Sequence, residues 1–151
     1  MKHCLSVILI FLIHQGVAQT NEVRKANFNI SKGIAINGYD PVSYFDGKPV
    51  MGKSEFQWEF NGVVYQFASA ANLARFRSSP DKFEPAYGGW CAFAMGDYGE
   101  KVKIDPLTYK ITSGKLYLFY NFWGNNTLQE WNKNEEQLQR AGDKNWAKIL
   151  Q

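Results

Sequence analysis

Alternating apolar and polar residues predict two hairpins in the middle of the chain. In residues 55–67, "EFQWEFNGVVYQF", apolar residues recur at every second position on both sides of Asn61-Gly62. That pair is a strong hairpin-turn signal. A similar alternation within residues 102–120, centred on Ser113-Gly114, predicts the second hairpin. Together the hairpins predict a small antiparallel sheet.

Helix-start residues flank the first hairpin. Asp40-Pro41 predicts a short helical turn that ends near Asp46-Gly47, because Asp caps free N–H groups and Pro suits the first helical position. Ser69 is expected to cap a helix through "AANLARFRS", and Ser79-Pro80 to start another short turn.

The last third of the chain carries further helical patterns. The stretch "WCAFAM", residues 90–95, predicts a short helix, and Asp105-Pro106 predicts a turn. The tail 127–150 is expected to be helical, with a break at Gly142-Asp143. The predicted fold class is therefore α+β: a small antiparallel sheet built from two hairpins, covered by short helices, with a C-terminal helical segment.

The beginning of the chain has the pattern of a secretory leader. Lys2 is followed by an apolar run from Leu5 to Ile13, and Gly16-Val17-Ala18 fits the small-residue cleavage rule. The run is too short for a membrane span, which needs roughly 20 apolar residues. We expect a signal peptide at 1–18, an exposed lead-in at 19–35, and one domain at 36–151. The protein is expected to be exported, to the periplasm or the extracellular space.

Removal of the leader changes the chemistry that the chain can perform. His3, His14 and Cys4 all lie within it, so the mature chain keeps no histidine and only Cys91. This excludes a His-based triad, a Cys–His dyad and a histidine metal site within the chain. The formal net charge of +3 also loses Lys2, which leaves too little positive charge for nucleic-acid binding. We expect a monomer without catalytic activity.

Three stretches resemble one known family. "INGYDPVSYF", "FNGVVYQFASAANLARFRSSPDKFEPAYGGWCAFAM" and "GKLYLFYN" are similar, in order and spacing, to secreted YHS-domain proteins. The resemblance covers most of the mature chain, from about Gly38 to the final helices. It implies a compact YHS-type module in an exported single-domain protein, and it implies little about activity.

Metal-binding members of that family carry three cysteines that this chain lacks. Their Asp-Pro-Val-Cys and Phe-Cys-Ser motifs, with a further cysteine three residues after the Ser, align with Ser43, Ala68 and Asn72. Zinc and Cu(I) need soft thiolate or imidazole ligands, which Ser, Ala and Asn do not supply. The resemblance therefore implies that the family's metal site is absent, and no cofactor is expected.

Cys91 allows three interpretations. With Met95 one helical turn away, it offers a thiolate and a thioether to copper, although the ligand set is incomplete. A thiol with a lowered pKa would make it redox-reactive. The favoured interpretation is a buried small apolar residue, because free cysteine is among the most buried residue types.

Four aromatic residues and one aspartate suggest a binding site. We expect Tyr39, Asp40, Tyr87, Trp90 and Tyr98 to line a site for a small ligand or a protein partner. A pair of carboxylates for hydrolysis would need two of the acidic residues in one cleft, whereas capping and turn roles suffice for Asp40 and Asp105. The favoured function is an exported binding module, with copper handling and thiol redox chemistry as alternatives.

Overall fold

The computed structural model describes residues 20–151, and it confirms the predicted α+β class. Residues 20–27 form a helix, here α1. The other helices and strands, in chain order, are β1 (Ile30–Ser31), β2 (Ile34–Ala35), β3 (Lys53–Phe60), β4 (Val63–Phe67), α2 (Ala70–Ser78), α3 (Pro80–Phe83), α4 (Ala92–Asp97), β5 (Asp105–Thr112), β6 (Lys115–Phe119), β7 (Asn121–Phe122), β8 (Asn125–Asn126), α5 (Thr127–Lys133) and α6 (Glu135–Ile149).

Both predicted hairpins are present. β3 pairs antiparallel with β4 through Asn61-Gly62, and β5 pairs antiparallel with β6 through Ser113-Gly114. Each hairpin is a two-stranded sheet of its own, so the strands of residues 20–151 lie in four such sheets. The two short hairpins, β1–β2 and β7–β8, were not predicted, because strands of two residues are too short to show an alternation.

Two clusters of buried apolar residues form the core. The larger cluster joins both main hairpins to α2 and α3, with Phe76 among the rings at its centre. The smaller one lies around Trp131 and packs α4 against α5 and α6. Buried apolar area stabilises a fold by about 25 cal/mol per Å2, and each aromatic ring buries a large area.

The expected lead-in at 19–35 is only partly exposed, and it is not a loose extension. Its first part is α1, and Phe28 and Asn29, which follow α1, are buried. The Phe28 ring packs against Trp146 at 5.6 Å between centroids, and Arg24 of α1 pairs with Glu84. The apolar residues Val23, Phe28 and Ile30 allow this segment to lie against the domain, and Phe28 does so, whereas the sequence does not indicate the Arg24–Glu84 pair. The predicted signal peptide, 1–18, lies outside the described residues.

Two turn predictions in the second half were wrong. The C-terminal helices separate at Asn134, whereas Gly142 lies inside α6. A Cβ at Gly142 would come within 2.7 Å of the Tyr87 hydroxyl oxygen, so glycine is required there for packing. Asp105-Pro106 lies at the start of β5, where the strand register shifts. Among residues 20–151, no helix combines the length and the apolar character that a bilayer crossing needs.

Candidate ligand-binding cleft

A cleft of about 700 Å3 opens between the β1 region, Trp90 and the β7–β8 hairpin. Its volume lies within the range of small-ligand sites, roughly 300–1,000 Å3. Four aromatic residues line it, together with four polar residues and two isoleucines: Trp90, Tyr120, Phe122 and Trp123; Asn29, Ser31, Asn37 and Lys103; Ile30 and Ile104.

Three of the aromatic rings form a continuous wall along the β7–β8 hairpin. Tyr120 and Phe122 meet edge to face, at 5.0 Å between centroids and 71° between planes. Phe122 in turn contacts Trp123 at 6.1 Å and 51°. The rings are thus inclined to one another and present a curved apolar surface.

The fourth ring, Trp90, is held in place by the N-terminal helix. Its Nε1–H donates a hydrogen bond of 2.6 Å to the carbonyl oxygen of Asn27. The side chain of Asn27 also accepts a hydrogen bond from Lys101. The segment predicted as an exposed lead-in therefore supports one wall of the cleft.

Trp123 occupies a backbone position that a bulky residue rarely takes. It has φ 51°, and the following Gly124 has φ 80°, so the turn of the β7–β8 hairpin has positive φ at both central residues. Asn-Gly and Gly-Gly are favoured in such turns, and a bulky residue at positive φ is an outlier. Trp123 is nevertheless 95% exposed, so apart from the contact with the neighbouring Phe122 ring no packing within the described residues offsets the strain.

The polar residues of the cleft carry little charge. The Asn29 amide donates to the Gly89 carbonyl oxygen at 2.9 Å, which fixes its orientation. Asn37 lies at φ 52° beside Gly38, in the turn that follows β2. Lys103 is the one charged residue in the lining, and it forms no ion pair with any residue from 20 to 151.

The five residues predicted to bind a ligand do not come together. Trp90 lines the aromatic cleft, whereas Tyr98 is 62% exposed and lines a different cavity, of about 390 Å3. Tyr39, Asp40 and Tyr87 line neither of these two cavities.

Asp40 is fully buried and serves the fold. Its carboxylate accepts hydrogen bonds from the N–H groups of Val42 and Ala68, both at 2.8 Å, and from the side-chain amide of Asn72 at 2.7 Å. Its backbone carbonyl accepts from the Ser43 hydroxyl at 2.7 Å. The three positions at which the YHS resemblance implies missing cysteines therefore all surround Asp40. Asp40 thus accepts from a free N–H group just before the 3-10 turn Ser43–Asp46, as predicted, although the N-cap of that turn is Val42.

Tyr87 also belongs to the core. Its hydroxyl lies 3.0 Å from a carboxylate oxygen of Asp143 and 3.2 Å from the carbonyl oxygen of Gln139. Burial, and next the charge of Asp143, raise the pKa of Tyr87 far above its usual range. The phenol therefore stays protonated and links the glycine-rich turn to α6.

Cys91 and Met95 are both fully buried, but they belong to different parts of the core. Cys91 packs in the larger cluster, where its Sγ lies 3.3 Å from the Thr127 hydroxyl and 3.4 Å from the Tyr120 nitrogen. Met95 packs in the smaller cluster. The burial predicted for Cys91 is confirmed, and the structure does not place the two sulfur atoms in one cluster.

The acidic residues considered for hydrolysis are engaged separately. Asp105 accepts hydrogen bonds from the Leu107 N–H and the Thr108 hydroxyl. Asp46 accepts from Arg75, and that hydrogen bond lowers the pKa of the Asp46 carboxyl. Within residues 20–151, no group of three or more His, Cys, Asp or Glu side chains is arranged to hold a metal ion.

Sequence reasoning missed most of the cleft. Phe122 and Trp123 come from a hairpin whose strands have two residues each, so no periodicity marked them. Tyr120 follows β6 at the end of the second predicted hairpin and was expected only as part of that hairpin. The available signal was the pair Trp123-Gly124 between asparagines, "NFWGNN", which places a tryptophan where a turn is expected.

Comparison with known proteins adds no relative: no family model, curated protein or solved structure matches the chain. The resemblance to secreted YHS-domain proteins stays a prediction.

Proposed function

We propose that this protein is an exported, single-domain, non-catalytic binding module that takes a small ligand into the aromatic cleft. The observation that carries the proposal is Trp123. Its ring stands at the rim of the cleft, almost wholly in solvent, on a strained backbone position. Residues in strained backbone conformations cluster at functional sites.

The other hairpin turns support this assignment. Within residues 20–151, the three other hairpin turns also have positive φ at their two central residues, the second of which is glycine. Their first residues are Lys32, Asn61 and Ser113, which are polar and suit an exposed turn. Of these four hairpin turns, only the one at the cleft carries a large aromatic residue; Tyr87, which also has positive φ, is buried in the core outside a hairpin.

The lining of the cleft favours binding over catalysis. It contains no carboxylate and no thiol among the described residues, so an acid–base pair or a thiolate nucleophile would have to come from elsewhere. Lys103 can orient a ligand by donating a hydrogen bond. Rings with a few convergent polar groups are typical of small-molecule sites.

The YHS-type assignment has its own support in the Asp40 network. Where a metal-binding relative would place three thiolates, this chain has three residues hydrogen-bonded to the buried Asp40. The Ala68 N–H and the Asn72 amide donate to its carboxylate, and the Ser43 hydroxyl donates to its backbone carbonyl. We infer a scaffold that keeps the family's shape and fills its metal position with hydrogen bonds. Cysteines at these three positions together should create zinc binding, detectable by native mass spectrometry.

Ligand-observed NMR on the processed protein tests the binding function. A library of sugars, nucleosides and aromatic acids is screened by saturation transfer against the wild type and Trp123→Asn. We expect one compound class to bind the wild type and to lose its signal with the variant. Leu107→Asn is the matched control, since Leu107 is another exposed apolar residue and lies outside the cleft lining. A library without a single Trp123-dependent binder would refute the proposal.

Export is tested separately, by sequencing the N-terminus of the protein recovered outside the cytoplasm. Cleavage after Ala18 should leave Gln19 as the first residue. Recovery of the full-length chain inside the cell only would contradict the exported part of the proposal and leave the cleft unaffected.

A further inference from the structure

The open position of the aromatic rings limits which ligands the cleft suits. Trp123 is 95% exposed and Phe122 is 40% exposed, so a molecule resting on them keeps part of its surface in water. A wholly apolar ligand gains most from full enclosure, as in closed pockets that bury 70–90% of a ligand. The rim instead suits a molecule with one apolar face and one hydrated face.

The neutral polar groups opposite the rings add a second restriction. Asn29 and Asn37 offer amides, and Ser31 offers a hydroxyl. The side-chain oxygen of Asn29, Oδ1, stays available to a ligand. Among the described residues, only the NH2 group of that amide is hydrogen-bonded, to the carbonyl oxygen of Gly89. Amides and hydroxyls can each both donate and accept, and this double capacity matches hydroxyl groups, which also do both.

The charge of the lining gives a third restriction. Lys103 is the one charged residue there, without a carboxylate that would attract a cation and without an Arg fork for an anion. Strong carboxylate or phosphate binding generally uses bidentate Arg or several cations. A single exposed lysine fits a hydrogen-bond donor to a neutral oxygen.

We infer that the ligand is a neutral saccharide, an inference that rests on the binding function proposed above. The C–H groups on one face of a sugar ring carry a small positive charge and are attracted to the negative face of the Trp123 and Phe122 rings. The hydroxyl groups at the ring's edge then reach Asn37, Ser31 and Lys103. The inclined rings follow a puckered, bent chain of sugar units better than a flat molecule.

The probes for the test are cellobiose, maltotriose, lactose and N,N′-diacetylchitobiose as neutral saccharides. Digalacturonate serves as an acidic saccharide, and indole-3-acetate as a flat aromatic anion. Binding is followed by tryptophan fluorescence and by saturation-transfer NMR. We expect at least one neutral saccharide to shift the emission of the wild type. We expect Trp123→Asn to weaken binding at least tenfold, Trp123→Tyr to retain most of it, and Leu107→Asn to leave it unchanged.

The possible outcomes separate the saccharide inference from the binding function. Trp123-dependent binding of indole-3-acetate with no neutral saccharide bound overturns the saccharide inference and leaves the binding function standing. A preference for digalacturonate over every neutral saccharide overturns the inference that the saccharide is uncharged. Saccharide binding that Trp123→Asn does not weaken overturns the assignment to this cleft. An absence of binding by all of these probes and by the wider library removes both proposals.

Discussion

The hairpin turns at Asn61-Gly62 and Trp123-Gly124 have the same backbone conformation and different surroundings. The φ angles are 47° and 83° in the first turn, 51° and 80° in the second. The first turn is tied to the N-terminal helix: the Asn61 carbonyl oxygen accepts from Arg24 Nε at 3.0 Å, and a Cβ on Gly62 would lie 2.8 Å from the Asn21 carbonyl oxygen. A Cβ on Gly124 would meet nothing within 4 Å.

This difference separates a turn that serves folding from one that is free for another use. At Asn61, the residue type suits the backbone, and the neighbouring helix uses the turn as an anchor. At Trp123, a bulky residue occupies a backbone conformation that disfavours it. Among the rings of residues 20–151, its ring contacts only that of the neighbouring Phe122, so little packing compensates the strain. A residue that keeps a strained backbone conformation without contributing to the packing of the fold is a candidate functional residue.

The largest expected effect comes from breaking the ion pair that holds the N-terminal helix beside the Asn61 turn. One carboxylate oxygen of Glu84 accepts from both Arg24 and the Tyr65 hydroxyl, each at 2.6 Å. Glu84→Gln removes the charge and leaves Arg24 largely buried without a counterion. We expect a loss of about 2–3 kcal/mol in the free energy of unfolding, measured with guanidinium chloride.

The double variant Arg24→Met/Glu84→Gln is the control for that experiment. It removes the cation as well, so it should lose less than the sum of the two single variants. A single-variant loss below about 0.5 kcal/mol would contradict the anchoring role, because it is the size expected of an exposed pair.

Alanine at the second turn residue tests the comparison at the level of the backbone. Gly62→Ala and Gly124→Ala incur the same penalty for positive φ, about 1 kcal/mol. Gly62→Ala should lose about 1 kcal/mol more, since its Cβ collides with the backbone at Asn21. Urea denaturation of both variants gives the difference directly. Equal losses would mean that α1 yields freely and does not anchor the turn.

Alkaline pH should lower the free energy of unfolding through Tyr65, which shares Glu84 with Arg24, the residue that contacts the Asn61 turn. Burial, and next the charge of Glu84, raise the pKa of this wholly buried phenol. The unfolded chain releases the proton near pH 10 while the folded chain keeps it. Stability is therefore complete below about pH 10 and falls above it, by about 1.4 kcal/mol for each pH unit until the folded phenol titrates. Denaturation midpoints from pH 8 to 11 should fall for the wild type and fall less for Tyr65→Phe.

The sequence was informative about the first turn and poor on the second. Asn61-Gly62 lies between strands long enough to alternate, and Ser69 caps α2 as its position predicts, by accepting from the Asn72 N–H. The cleft depends on contacts that the sequence does not reveal. Trp90 is oriented by Asn27, 63 positions away, and Tyr120, between β6 and β7, meets Phe122 on a strand too short to show a pattern. Turn and capping residues could therefore be predicted from the sequence, whereas the residues that assemble the cleft could not.

The smallest effect, and the one that best sharpens the comparison, comes from exchanging the residues of the two turns. Trp123→Asn should raise the free energy of unfolding by about 0.5 kcal/mol, because asparagine tolerates the left-handed conformation. Asn61→Trp should lower it by about as much. The bond to Arg24 survives in this variant, since Arg24 contacts the backbone carbonyl of residue 61.

Equilibrium urea denaturation of both variants, each alongside the wild type, checks the opposite signs. A loss of more than about 1 kcal/mol in Trp123→Asn would show that the ring supports the fold through Phe122. In the expected case, the variant gains stability and loses ligand binding together. A residue that weakens the fold and strengthens binding is kept for binding, which is the trade-off that functional sites display.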